Sequence, residues 1–101
     1  MKNIFRSMIA VLLVTAGLFV ANGIAQADAQ QDIQKYTAQI AQNPNDDYAY
    51  NNRGMAFLYL GQYEYAIQDF NKAISLNPYD ELYYNNRGDT YNYLKQYNLA
   101  I

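Results

Sequence analysis

The chain contains no cysteine and no histidine. Without cysteine there is no disulfide framework, no thiol nucleophile and no acceptor for a bacterial-type lipid anchor. Without histidine no Ser-His-Asp or Cys-His arrangement can form, and zinc sites of the usual His/Cys kind are excluded. Basic residues are scarce as well. Beyond residue 27, nine acidic residues stand against Lys35, Arg53, Lys72, Arg87 and Lys95, a surplus of four negative charges. A phosphate-backbone partner needs clustered Lys and Arg, so no nucleic acid is expected. The five glycines are dispersed and form no phosphate-cradling loop. Neither a cofactor nor a catalytic residue is predicted.

Long apolar runs are limited to one, Met8–Val20, broken only by Thr15 and Gly17. It falls short of the roughly 20 residues that a bilayer crossing needs. Lys2 and Arg6 precede it, and Ala25-Gln26-Ala27 follows, with Ala27-Asp28-Ala29 as a second small-residue exit. Basic start, short apolar core and small-residue site together read as a secretory signal over residues 1–27. The protein is therefore expected to be exported, to a periplasm or to the medium. An uncleaved signal, reaching from Met8 to Ala25, would be its one contact with a membrane.

What the chain has in abundance is internal repetition. Tyr-Asn-Asn-Arg-Gly occurs at Tyr50–Gly54 and again at Tyr84–Gly88, displaced by 34 residues. Asp47–Ile67 laid over Glu81–Ile101 gives eleven identities in 21 positions, and Asn43-Pro44 and Asn77-Pro78 keep the same offset. A fixed period of this length marks stacked helical units, none of which can bury its apolar face alone.

The spacing of apolar residues predicts a helix from Asp47 to about Leu60, with Tyr50, Gly54, Phe57 and Leu58 inward. Gly61-Gln62 closes it, because glycine accepts the left-handed conformation past a helix end. A second helix runs from about Tyr63 to Leu76, with Ala66, Ile67, Phe70, Ala73 and Ile74 inward. Small Gly54 and Ala66 let the two backbones approach, and Phe57 and Phe70 fill the space beside them. Asn77-Pro78 ends the second helix and Asp80 caps the next. Gln30–Gln42 reads as a short amphipathic helix in the second-helix slot of an earlier unit, capping the array with a polar outer face. The acidic pairs Asp46-Asp47 and Asp80-Glu81 fall where helix N-termini favour negative charge, and capping is their expected role. No metal site is expected from them, since no loop of alternating oxygen ligands is present.

These residues resemble the tetratricopeptide repeat. Its succession of aromatic, Gly, aromatic, Ala, aromatic, Ala and Pro is met by Tyr50, Gly54, Phe57, Ala66, Phe70, Ala73 and Pro78, and in the second copy by Tyr84, Gly88, Tyr91 and Ala100. One departure recurs: a Leu of the family is Arg53 and Arg87 here. An ion pair from Arg53 to Asp69 across the helix hairpin is the expected account, with a ligand role for the arginine as the other reading. The implied fold is all-α, antiparallel helix-turn-helix repeats stacked as an α-solenoid. Residues 1–27 are then signal, 28–46 a capping helix and turn, 47–80 the first repeat and 81–101 an incomplete second one. Leu99-Ala100-Ile101 would begin that unit's second helix. The array is accordingly expected to be cut short, as the N-terminal part of a longer exported protein or as a half that a second chain completes.

The resemblance implies a protein or peptide partner held in a concave groove without catalysis. The groove-lining positions are Asn51, Asn52, Met55 and Tyr59 in one unit, with Asn85, Asn86, Asp89 and Tyr93 in the next. Asn offers both donors and an acceptor, so it can hold a peptide backbone at both groups. Tyr59, Tyr93 and Met55 would supply apolar contact. Tyr50, Tyr63, Tyr84, Tyr91 and Tyr97 fall on packing positions. A self-assembling structural array, a homo-oligomer, is the other reading.

Overall fold

The computed structural model describes residues 16–100, with side chains over 25–99. Four helices follow one another, α1 (Ala16–Gln42), α2 (Asp47–Tyr59), α3 (Tyr63–Leu76) and α4 (Glu81–Ala100), and there is no strand among the described residues. Each packs against the next, α1 on α2, α2 on α3 and α3 on α4. This is a stack of antiparallel helical hairpins, as the period requires.

The breaks repeat as the sequence does. Asn43 Oδ1 accepts from the Asn45 amide at 3.2 Å, and 34 residues on Asn77 Oδ1 accepts from the Tyr79 amide at 3.4 Å. Asp46 Oδ1 then caps α2 through the Ala49 amide at 3.1 Å, and Asp80 Oδ1 does so for α4 through the Leu82 amide at 3.0 Å. The α2–α3 turn places Gly61 at φ +73°. Its amide bonds the Leu58 carbonyl at 3.0 Å and the Gln62 amide bonds that of Phe57 at 2.9 Å. That pair of bonds satisfies carbonyls left open at the helix end, and the φ it demands suits glycine.

Tyr50, Ala73 and Tyr83 form a core cluster, with Ile40, Ile74 and Leu76 packed around it. Ala49, Ala66 and Phe70 are also fully buried, whereas Phe57 and Leu58 are half-buried. The glycine contact differs in detail from expectation. A Cβ on Gly54 would meet Phe70 Cε1 at 2.8 Å, so it is the ring of Phe70 that lies on the glycine.

Two helices are longer than their sequence patterns predict. The capping helix was expected over Gln30–Gln42, but α1 begins at Ala16 and carries the backbone through both small-residue exits without a break. Ala16, Ala21, Ala25, Ala27 and Ala29 are strong helix formers and no proline interrupts them. The rest of the apolar run, with the basic start, lies outside the described residues. Among those described, no helix is long and apolar enough to cross a membrane. At the other end, residues 96–100 do not fold back as a second helix but continue α4. The residue in register with Gly61 is Lys95, and the left-handed turn would cost a non-glycine residue about 1–2 kcal/mol.

Candidate functional site

α2 carries Asn52, Met55, Ala56 and Tyr59 at helical spacing toward α1, which answers with Ala25, Asp28, Ala29, Asp32 and Tyr36. Between them lies an open cleft of about 460 Å³. Its chemistry is mixed. Met55, the alanines and the two phenol rings give apolar walls, Asn52 gives an amide, and Asp28 and Asp32 give carboxylates with no Lys or Arg in the lining. Tyr59 also borders a second cleft of about 230 Å³ with Leu58, Tyr63 and Tyr93. There the Tyr63 and Tyr93 rings stack, with centroids 6.3 Å apart. One exposed phenol thus joins two neighbouring depressions.

Of the residues assigned to the groove from sequence, Asn52, Met55, Tyr59 and Tyr93 fall on these two clefts. Asn51 does not. It is only 2 % exposed, and its Oδ1 accepts from Asn86 Nδ2 at 2.8 Å. Two asparagines expected to reach a ligand therefore bond each other across the α2–α4 contact. The physical reason is stacking, because an amide placed at the junction of successive units is covered by the next unit. Asn85 and Asp89 are exposed on α4 and line neither cleft. The contribution of α1 was missed, although Ala25, Asp28, Ala29, Asp32 and Tyr36 keep a three-and-four spacing that marks one helical stripe.

The recurrent arginine is explained by its partners. Arg53 forms a two-pronged ion pair with Asp69, Nε to Oδ2 and Nη2 to Oδ1, both at 2.8 Å. Asp69 is buried and the Arg53 side chain is 21 % exposed. The hydrogen bond to Asp69 holds the guanidinium pKa above its ordinary value. Arg53 Nη1 also reaches back to Thr37 Oγ1 at 3.3 Å, while Arg87 Nη1 reaches back to Asn71 Oδ1 at 2.8 Å. Thr37 and Asn71 are 34 apart, so each arginine ties its helix to the same place on the preceding one. This accounts for the departure from the family's leucine as scaffolding.

A second polar joint was not foreseen. Tyr83 Oη donates to Asp47 Oδ2 at 2.6 Å, and Asn77 Nδ2 donates to the same oxygen at 3.3 Å. These bonds, that of Tyr83 foremost, hold the Asp47 carboxyl below the usual carboxylate range. Burial, reinforced by the same bond, pushes the Tyr83 phenol well up. Asp47 therefore links two units instead of serving only as a helix-start charge. Tyr83 is the most deeply buried tyrosine, whereas Tyr84, Tyr91 and Tyr97, expected in the core, are exposed; no described helix lies over the Tyr84 and Tyr91 side of α4, while Tyr97 sits beside Tyr63 of α3 with ring centroids 6.3 Å apart.

Residues 48–80 match the model of the family described as Tetratricopeptide repeat. A comparison with curated proteins finds no match. Units of this family are generally non-catalytic modules of protein–protein interaction. With its all-helical stack, its 34-residue period and that match over α2 and α3, the chain carries a tetratricopeptide repeat.

Proposed function

We propose that the protein is exported and binds an extended segment of a partner protein along the α1–α2 cleft. The observation that carries this reading is the composition of the 460 Å³ cleft: Asn52 beside the apolar surface of Met55, Tyr36 and Tyr59, with Asp28 and Asp32 at its α1 wall. The asparagine amide can bond a peptide backbone whatever its sequence, and the tyrosines offer rigid contact area. The two carboxylates favour a segment that carries Lys or Arg next to an apolar side chain. Asn86 drops out of the ligand-holding set, since its amide nitrogen is engaged by Asn51.

Signal removal after Ala27 suits this cleft better than removal after Ala29. The first removes Ala25 from the lining but leaves Asp28 and the buried Ala29 in place, and the second deletes all three. The mature N-terminus is then Asp28, which N-terminal sequencing of protein recovered from expressing cells would read directly. Gln30 at the first cycle, or an intact leader, would overturn that assignment. For the binding itself, a library of displayed random peptides panned against the full chain should enrich basic-apolar sequences. Replacing Asn52 and Tyr59 by Ala together should weaken their binding about tenfold, as loss of one hydrogen bond and one aromatic contact would. Tyr79→Ala, at a site 91 % exposed and outside the cleft, should leave it unchanged. Enriched peptides that bind the Asn52/Tyr59 variant equally well would refute the groove.

A further inference from the structure

The chain has twelve tyrosines and no cysteine, and two of those tyrosines meet across the junction between its repeats. Tyr63 opens α3 and Tyr93 lies on α4. Their rings are nearly parallel, with 11° between their planes and centroids 6.3 Å apart. Tyr63 is half-buried and Tyr93 exposed, and with Leu58 and Tyr59 they line the open cleft of about 230 Å³. Thirty residues of chain separate them, so the fold alone makes this pair. One junction earlier the positions in register hold Ala29 and Tyr59, and no such pair can form there. The hydroxyls of Tyr83 and Tyr84 are hydrogen-bonded, whereas those of Tyr63 and Tyr93 have no partner among the described residues.

We propose that Tyr63 and Tyr93 form a covalent cross-linking site, joined ring to ring by a haem peroxidase that consumes hydrogen peroxide. Each phenol gives up one electron and its hydroxyl proton and becomes a phenoxyl radical. The two radicals pair their electrons in a bond between the ring carbons next to the oxygens. The hydrogens on those carbons then move to the oxygens. Two phenols and one peroxide thus give one linked pair and two waters. Coupling needs a second radical at hand, and here it is met within the molecule instead of by diffusion. The cleft leaves both rings open to an oxidant, and exposed side chains change rotamer fast enough for Tyr93 to swing edge to edge with Tyr63. Tyr97 also approaches Tyr63, tilted by 59°, but that contact depends on α4 running straight past Lys95. The Tyr93 contact lies ahead of Lys95 and does not. The bond ties the first repeat to the second in a chain that has no disulfide to do so. It is independent of the α1–α2 cleft, which neither ring lines.

Trypsin makes the test direct. Cleavage at Arg53, Lys72, Arg87 and Lys95 puts Tyr63, Tyr93 and Tyr97 on separate peptides, 54–72, 88–95 and 96–101. The full chain, dilute and treated with a haem peroxidase and hydrogen peroxide, should give monomer in which peptides 54–72 and 88–95 are joined. Their mass should be the sum of the two less two hydrogens, and fragmentation should place the bond at Tyr63 and Tyr93. The yield should not change on further dilution, as a reaction within one molecule requires. Tyr63→Phe and Tyr93→Phe, which keep the rings and their packing, should each lower it about tenfold. Tyr91→Phe, exposed and on the same peptide as Tyr93, should leave it unchanged. The linked chain should also unfold at a higher denaturant concentration, because a cross-link restricts the unfolded state. A bond formed preferentially at Tyr65, Tyr91 or Tyr97, linkage only between molecules, or an equal yield from the denatured chain would each overturn the proposal. Asn52→Ala should leave the yield untouched, which separates this claim from the groove.

Discussion

Tyr50–Gly54 and Tyr84–Gly88 are the same five residues in two surroundings. In the first, α1 and α3 enclose the helix: Tyr50 and Asn51 are buried, Phe70 lies on Gly54, and Arg53 grips Asp69 with two hydrogen bonds. In the second only the side toward α3 and α2 is covered. Tyr84 is 41 % exposed, Gly88 faces open space, and Arg87 makes a single bond to Asn71. What the two copies share is the set of contacts made backward, toward the preceding helix. What they do not share is everything made forward. A repeat side chain thus has two half-environments, and one of them belongs to its neighbour in the stack.

Three experiments on stability would break or sharpen this comparison. The largest difference should come from the glycines. Gly54→Leu must displace the Phe70 ring and is expected to cost about 3 kcal/mol, at the upper end for overpacking. Gly88→Leu, with nothing to strike, should be neutral or stabilising by up to about 1 kcal/mol, since glycine disfavours a helix interior. Equal losses in denaturant melts would mean that the two sites are enclosed alike. Next come the arginine partners. Asp69→Ala leaves a largely covered guanidinium without its carboxylate and should cost about 2 kcal/mol. Asn71→Ala removes an exposed bond and should stay within about 0.5 kcal/mol. The third experiment lies at the joint between the copies, where Tyr83→Phe removes the bond to Asp47 at a cost of about 1 kcal/mol.

That joint also has a pH signature. Asp47 is held below the usual carboxylate range, so its contribution is present above that range and is lost as pH falls through its folded value. Tyr83 is held above the ordinary phenol range, so its contribution is present below that range and is lost as pH rises through its folded value. Tyr83→Phe should therefore flatten the acid limb of the stability curve as well as the alkaline one. An unchanged acid limb would show that Asp47 does not depend on Tyr83.

Much of this was legible in the residues. The period, the Asn-Pro breaks, the aspartate caps and Gly61 place the hairpin of α2 and α3 nearly to the residue, because each is a local device that acts within one turn of chain. The Arg53–Asp69 pair was legible for a related reason: across a hairpin of known length, register alone brings the two together. Asn51, Asn86 and Tyr83 were not legible in this way. Their environments depend on how one unit leans on the next, and a pattern that repeats cannot by itself say which face is covered. The cleft was half legible, with Asn52, Met55 and Tyr59 found and the α1 wall missed because the helix extends beyond its amphipathic segment.

The sequence by itself determined the helical repeat, its period, its turns and the family that its repeat matches, since those rest on backbone preferences and on the matching of small with large residues. Only the tertiary structure decided what each repeated residue does. It put Asn51 inside and Tyr84 outside, turned Asp47 from a helix-start charge into a clasp for Tyr83, and left Gly88 open where Gly54 is filled. The physical reason is that burial, hydrogen bonding and charge pairing belong to pairs of surfaces, and the second surface of each pair lies elsewhere in the chain.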